Sequence, residues 1–338
     1  MDFKPNEGKP HRGLTLSDLA RVFSLELIGE DAEVLYQGSL SFSAGSRYRN
    51  VLTYLISEKY IPEFEEKGFD FAVIPESMKC EQLPENRSYL VTKSSPLETF
   101  IKIHLYVVEH GLYYKVTSDM GSNCKVSKRA VVYENVHIGD RCEIEDYVVI
   151  YPNTIIGDEV RIQANTVIGG DGFEVKTVDG RRRLIPHCGG IFFEDNVEIG
   201  SSCTIDRSMR HIFTYIGFET KVSNQVQLAH GAYIGRNCTI AGHAQIANVR
   251  LGDSVKIAAG VCCRPQITIG NHVFAGIGSV IIKSVPAHEL VVGNPARRIG
   301  WVCKCGSRIN FGPSNEAICE ACGLNYVRDG KNVYCLKP

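Results

Sequence analysis

Three groups of residues have types and spacings that suit chemistry. Cys303-Lys304-Cys305-Gly306 is followed by Cys319-Glu320-Ala321-Cys322-Gly323. Four thiolates in two close pairs can close a tetrahedral site around zinc, and the glycines leave room for tight turns. A closed four-thiolate site has no open position, so it would serve folding or assembly rather than catalysis. Cys335 is a further candidate ligand. The second group centres on His230, in Gln225-Val226-Gln227-Leu228-Ala229-His230-Gly231. An imidazole, with an unperturbed pKa near ~6.5, can take a proton at neutrality. His243, in Ala241-Gly242-His243, is its rival, and either histidine reads equally well as a surface residue. The third group is Tyr54, Ser57 and Tyr60. Two aromatic faces around a hydrogen-bonding side chain can hold a nucleobase, or simply fill a small core.

A repeat must position the second group. From Cys124 to Ile282, aliphatic residues recur at every sixth place. They run from Val126 and Val132 to Ile168, return at Phe193, Ile199 and Ile205, again from Ile216 to Ile246, and last from Leu251 to Ile281. A helix would show a period near 3.6 and a half-buried strand a period of 2. A period of six predicts a β-helix of short strands, in which one residue per strand points into a prism. Ile138-Gly139-Asp140 recurs as Ile156-Gly157-Asp158, so three hexads form one coil. Glycine after the inward aliphatic suits a corner with close backbone approach or positive φ. Asn248 takes the place of His230 one coil on. With strands about 4.8 Å apart, its N–H would lie beside whatever His230 touches.

The repeat breaks twice. Gly169–Gly190 contains Val178-Asp179-Gly180-Arg181, a hairpin signal, and so predicts an arm that leaves the prism and returns. The triplet Arg181, Arg182 and Arg183 reads as its solvated tip. The second break, Asp206–Tyr215, is shorter. Long excursions from a strict repeat are where function tends to lie.

Before the prism, Phe71–Pro75 and Tyr89–Thr92 read as strands and Pro96–His110 as a helix. Ser17 is a candidate N-cap of an earlier helix. This alternation predicts a small α/β domain. The chain is expected to leave the prism at Val285-Pro286. The predicted fold is mainly β. An N-terminal α/β domain occupies 1–115, and composition alone gives it no function; nucleotide binding there is what the resemblance described below implies. A left-handed parallel β-helix at 116–290, with the arm at 169–190, would be catalytic. A cysteine-rich module fills 291–338.

The 338 residues carry a net charge of -1, which gives no reason to expect nucleic-acid binding. No apolar run is long enough for a membrane span. The opening MDFKPNEGKPHRG has no apolar core and is not expected to be a signal peptide. Thirteen cysteines, an odd number, argue for reduced thiols and a cytoplasmic location.

Several motifs together resemble the UDP-3-O-acylglucosamine N-acyltransferases of lipid A synthesis and related sugar N-acyltransferases. They are Gly169-Gly170-Asp171-Gly172-Phe173, Ile185-Pro186-His187, Cys203-Thr204-Ile205-Asp206-Arg207 and Ser223-Asn224-Gln225-Val226-Gln227-Leu228-Ala229-His230. The resemblance implies that His230 is a general base and that the N–H of Asn248 is an oxyanion donor. Asn224 would stand near the sugar or the imidazole. Tyr54, Ser57 and Tyr60 would hold the nucleobase, with serine where the family has asparagine. Phe173 would shape the acceptor or acyl pocket. Ser223 replaces an aspartate of the family.

The tail departs from that family. Val292-Gly293-Asn294-Pro295-Ala296-Arg297 is similar to a segment of CoA-dependent hexapeptide acetyltransferases. The cysteine-rich module looks zinc-ribbon-like, as in some nucleotide-amino-sugar N-acetyltransferases. The reading that follows is N-acylation of a UDP- or dTDP-linked amino sugar by acyl-CoA, for surface polysaccharide, by a homotrimer holding structural zinc. Lys283, Arg297 and Arg298 would meet the CoA phosphates. The alternatives are an acyl-carrier-protein-dependent UDP-3-O-acylglucosamine N-acyltransferase and a non-enzymatic nucleotide-sugar-binding scaffold.

Overall fold

A computed structural model describes residues 14–38, 40, 49–79, 83–210, 212–330 and 332–336. The opening segment, 1–13, lies outside the described residues. The chain divides into two compact units. One comprises the described residues of Met1–Lys115 with Phe173–Gly189 and Met209–Ile212. The other comprises Val116–Gly172, Gly190–Ser208 and Phe213–Pro338.

The first unit is a five-stranded sheet in the order Glu26–Ile28, Ser88–Thr92, Phe71–Pro75, Val51–Tyr54, Tyr36–Gln37. The first pair is antiparallel and the others are parallel. Helix α1 (Leu16–Phe23) is capped by Thr15, not by Ser17. Leu16, its first residue, is fully buried. The Thr15 hydroxyl accepts from Asp18 N–H at 3.1 Å and the Asp18 carboxylate accepts from Thr15 N–H at 3.2 Å, a reciprocal cap. Helix α2 is Ile61–Glu66 and helix α3 is Pro96–Glu109. The arm is a hairpin of Val175–Val178 against Arg181–Leu184. Its turn, Asp179-Gly180, has positive φ at both residues, as a two-residue hairpin requires. The arm's Val178 and Ile185 are buried with Leu16 and Leu19 of α1 and Phe100 and Ile103 of α3. Lys102 Nζ pairs with Asp179 at 2.6 Å, and His104 Nε2 lies 2.8 Å from the Pro186 carbonyl.

The second unit is a parallel β-helix of three sheets, two of eight strands and one of eleven. Successive coils pair in register, as in Ile138 beside Ile156, Ile205 beside Leu228, and Leu228 beside Ile246. The inward aliphatics form one continuous buried cluster from Val136 to Val291. Such stacking buries what no single coil could bury alone.

The glycines at one corner serve close approach rather than positive φ. A Cβ on Gly217 would stand 2.7 Å from the Gly235 backbone of the next coil. The left-handed residue lies two places later and is not glycine: Arg141, Glu159, Asn237, Ser254 and His272. The acidic residue between them ties coils together. Asp158 Oδ1 accepts from Asp140 N–H at 2.8 Å, and Asp253 Oδ1 from Arg236 N–H at 2.9 Å.

The prism continues past Val285-Pro286, where departure was expected. Val285 bridges to Ile269, and Glu289–Val292 pairs in parallel with Phe274–Ala275. Arg297–Val302 and Arg308–Ile309 then add to the same sheet in antiparallel sense. A three-stranded antiparallel sheet, Glu316–Ile318, Asn325–Asp329 and Asn332–Cys335, completes the unit. No helix among the described residues is long and apolar enough to cross a membrane.

Candidate active site and metal centre

His230 stands at a prism corner just after inward Leu228. The equivalent places in neighbouring coils are Arg207 below and Asn248 above, through the pairings Ile205–Leu228 and Leu228–Ile246. The corner is held from beneath by Thr214, which is fully buried. Its hydroxyl accepts from Gly231 N–H at 2.9 Å and donates to the Asp206 carbonyl at 2.8 Å. Gly231 has φ 74°, which lets the chain turn directly after the histidine.

Two further elements close on the imidazole. Gly172 packs against it so tightly that a Cβ there would lie 2.6 Å from His230 Cδ2 and 3.0 Å from its Cβ and Cγ. The glycine of the Gly-Asp-Gly-Phe segment is therefore required by the histidine, not by its own φ. In the next coil the corner is one residue shorter, because Asn248 is followed by inward Val249 with no left-handed residue between. The Asn248 side chain lies against Gly231, 3.3 Å from the position of a Cβ there. The Asn248 N–H takes no hydrogen bond within the described residues.

An acidic pair lies one coil below. Asp171 pairs with Arg207 at 2.6 Å. Burial, then the charge of Asp171, pushes the Asp206 carboxyl up to about 6. Sequence reasoning quoted these residues only as motif members and missed Thr214 altogether. The two parallel-strand neighbours of the His230 corner were the available signal.

The remaining candidates fall elsewhere. Asn224 belongs to a different corner, where its Oδ1 accepts from Ser201 N–H at 2.8 Å. His243 lies at that corner too, its N–H directed at the Asn224 carbonyl at 3.3 Å, and has φ 60°. The structure does not bring either together with His230. Phe173 is 84% exposed. In the first unit, Tyr54 ends a parallel strand and its ring lies 5.2 Å from Phe100. Tyr60 packs on a separate cluster, with Lys59 Nζ 4.9 Å above its ring. Ser57 precedes the 3-10 turn Glu58–Tyr60. Lys283 and Arg297 are exposed. Arg298 is engaged, 3.0 Å from Glu289 and stacked over Trp301.

The thiol sulfurs of Cys303, Cys305, Cys319 and Cys322 all lie within 4.8 Å of one another. Cys303 and Cys322 are 3.4 Å apart and Cys305 and Cys319 are 3.6 Å apart. Sulfurs ~2.3 Å from a tetrahedral zinc would be separated by similar distances, so the donor set fits that metal. Hydrogen bonds from Ser307 hold the Cys305 thiol down to about 6. The Tyr326 hydroxyl lies 3.0 Å from Cys303 Sγ and accepts from Lys304 N–H at 2.9 Å. Cys335 is outside this group; its thiol faces the Leu336 carbonyl at 3.6 Å.

Comparison with known proteins agrees with the repeat. Residues 141–170 match the family model described as bacterial transferase hexapeptide (six repeats). A UDP-3-O-acylglucosamine N-acyltransferase of Methylobacterium nodulans is 34% identical over 138 residues, which are 39% of this chain and 38% of that protein. One from Maricaulis maris is 34% identical over 135 residues, 40% of this chain and 39% of that protein. The chain thus spans less than two fifths of the length of the relatives it matches. Among solved structures, the Bacteroides fragilis UDP-N-acetylglucosamine acyltransferase is 20% identical with a TM-score of 0.49, over 55% of this chain and 72% of that one. The chain therefore carries the six-residue repeat of bacterial hexapeptide transferases and resembles the UDP-3-O-acylglucosamine N-acyltransferases.

Proposed function

We propose that this chain is an N-acyltransferase whose acceptor is the amine of a nucleotide-linked amino sugar. The observation that carries the reading is the His230 corner, with Gly172 against its imidazole and the Asn248 N–H at the matching place one coil on. The amine is protonated at neutral pH and must lose a proton before it attacks. His230 takes that proton, a service worth about 10²–10⁴ in rate. The nitrogen then adds to the thioester carbonyl, and the oxyanion meets the Asn248 N–H, at roughly 3 kcal/mol for such a donor. The C–S bond breaks, the imidazolium gives its proton to the departing thiolate, and the imidazole, neutral again, takes the second proton from the acylated nitrogen and releases it to solvent.

The relatives are named for N-acyl transfer to UDP-3-O-acylglucosamine. That name favours a UDP-linked acylglucosamine acceptor and is silent on the donor, for which the family resemblance implies a carrier-protein-bound acyl group. The acyl-CoA donor remains the second reading because of the Gly293-Asn294-Pro295-Ala296-Arg297 segment. In it Lys283 and Arg297 would meet the CoA phosphates, and Arg298 would have to leave Glu289 to join them. In either reading Tyr54, Ser57 and Tyr60 hold the base and Phe173 lines the acyl or acceptor side. Asn224, at its separate corner, meets the sugar rather than the imidazole, and the winding is left-handed. Cys303, Cys305, Cys319 and Cys322 hold a structural zinc in a zinc-ribbon-like module. The chain works as a cytoplasmic homotrimer, and a monomer by light scattering would contradict that state.

The test is a mass-spectrometric screen of acyl carrier protein and acyl-CoA donors against UDP- and dTDP-amino sugars. Acyl transfer by the wild type that falls at least a hundredfold in His230→Ala, with unchanged circular dichroism, is expected. A variant at wild-type rate removes His230 from the mechanism, and a wild type inert with every pair leaves the scaffold reading.

A further inference from the structure

The second break in the repeat supplies Thr214 to the His230 corner, but the rest of it is not used by the acyl-transfer chemistry. Its Met209–Ile212 segment belongs to the N-terminal unit, where Met209 joins the cluster of Phe100, Val178 and Ile185. Beside it Arg210 is 9% exposed. Its guanidinium carbon lies 4.8 Å from the Phe100 ring centroid, and that ring lies 5.2 Å from Tyr54. Among the described residues, Arg210 Nε is buried without a hydrogen-bond partner and no carboxylate forms an ion pair with the guanidinium. Burial pushes the guanidinium down to about 10, against smaller opposing effects of Tyr54, Glu174 and Cys188.

A guanidinium taken out of water without a counter-charge is strongly disfavoured, and an aromatic face offsets only part of that cost. A buried cation in this state is stabilised by any anion that reaches it. Its planar fork matches two oxygens of a phosphate. The neighbouring Tyr54 ring is the one assigned to the nucleobase.

We propose that Arg210 is the anion anchor of the nucleotide site and takes the diphosphate of a nucleoside diphosphate. This rests on the nucleotide-sugar reading above. It also gives the Asp206–Tyr215 break a reason: the repeat opens there to deliver one cation to the N-terminal unit.

Calorimetric titration of the full chain with UDP, uridine and pyrophosphate tests it. UDP should bind about 100-fold more weakly to Arg210→Met and less weakly to Arg210→Lys, with uridine affinity unchanged. Pyrophosphate should compete with UDP on the wild type and fail to bind Arg210→Met. Equal UDP affinity in wild type and a folded Arg210→Met overturns the proposal, as does pyrophosphate that binds independently of UDP, which needs no variant at all. Pyrophosphate binding that depends on Arg210, in a protein that does not bind UDP, keeps the anchor and sinks the nucleotide-sugar reading. A wild type that binds neither overturns both.

Discussion

Replacing Gly172 by alanine tests the active-site assignment with a single methyl group. The added Cβ would sit 2.6 Å from His230 Cδ2, where an ordinary carbon contact needs ~3.5–4.0 Å. The ring must therefore withdraw by roughly 1 Å. The atoms it meets include the histidine Cβ and Cγ, so no free side-chain tip can swing aside. A displacement of about 1 Å in a reacting group can lower turnover ~10²-fold, or about 2.7 kcal/mol of barrier. Gly172 is not among the positive-φ glycines, so alanine introduces no backbone strain there. Gly170→Ala is the matched control: its methyl would meet nothing closer than Val167 Cγ1 at 4.0 Å. The assay is single-turnover acyl transfer with the donor and acceptor the wild type accepts, alongside thermal unfolding. Gly172→Ala should lose about a hundredfold while Gly170→Ala stays near wild type and both melt normally. A Gly172→Ala variant within threefold of wild type would refute the claim that this contact sets the imidazole.

Further expectations follow from the same geometry. Mass spectrometry of the native chain should find one zinc, lost in Cys319→Ser, with the C-terminal module becoming susceptible to protease; an unchanged digestion pattern counts against a structural metal. Burial pushes Asp206 up to about 6 in the fold, above the ordinary aspartate value of ~3.9, so the folded state holds its proton more tightly than the unfolded chain between those values. Stability should therefore fall as pH rises through that window, and urea unfolding of Asp206→Asn should lose this slope. Ile234 is fully buried in the prism, and Ile234→Ala should cost about 2–5 kcal/mol in denaturant unfolding; a cost under about 1 kcal/mol would mean the coil can collapse around the loss.

The prism was legible because one residue in six must point inward, and no other regular structure imposes that period. The positions of Ile138, Leu228 and Ile257 needed only counting. The corners were less legible, since the left-handed places are filled by Arg141, Glu159 and Asn237 as readily as by glycine. The hairpin was visible in Asp179-Gly180, but nothing in its pattern says that Val178 and Ile185 pack on α1 and α3. That is decided by tertiary contacts far apart in the chain. Ser17 was the expected cap and Thr15 is the observed one, because the Ser-Asp spacing alone does not reveal the reciprocal bond of Thr15 with Asp18. At the site, the repeat fixed His230 and Asn248 in adjacent coils. It could not foresee Gly172 or Thr214, because both reach the corner from excursions whose path no period describes.

The antiparallel strand at Arg297–Val302 has a consequence for how such a solenoid can grow. A stack of parallel coils ends in open strand edges that would template another copy. Here the last coil is closed by a strand running the opposite way, backed by Arg308–Ile309. This closes one of the three faces to a further parallel strand, while the other two sheets end at Thr268–Ile269 and Val280–Ile281. On the closed face lengthening is left to duplication within the stack, for instance between Leu251 and Ala275. There a coil could be added without altering the pairing of Leu228 with Ile246 that sets the His230 and Asn248 corners side by side.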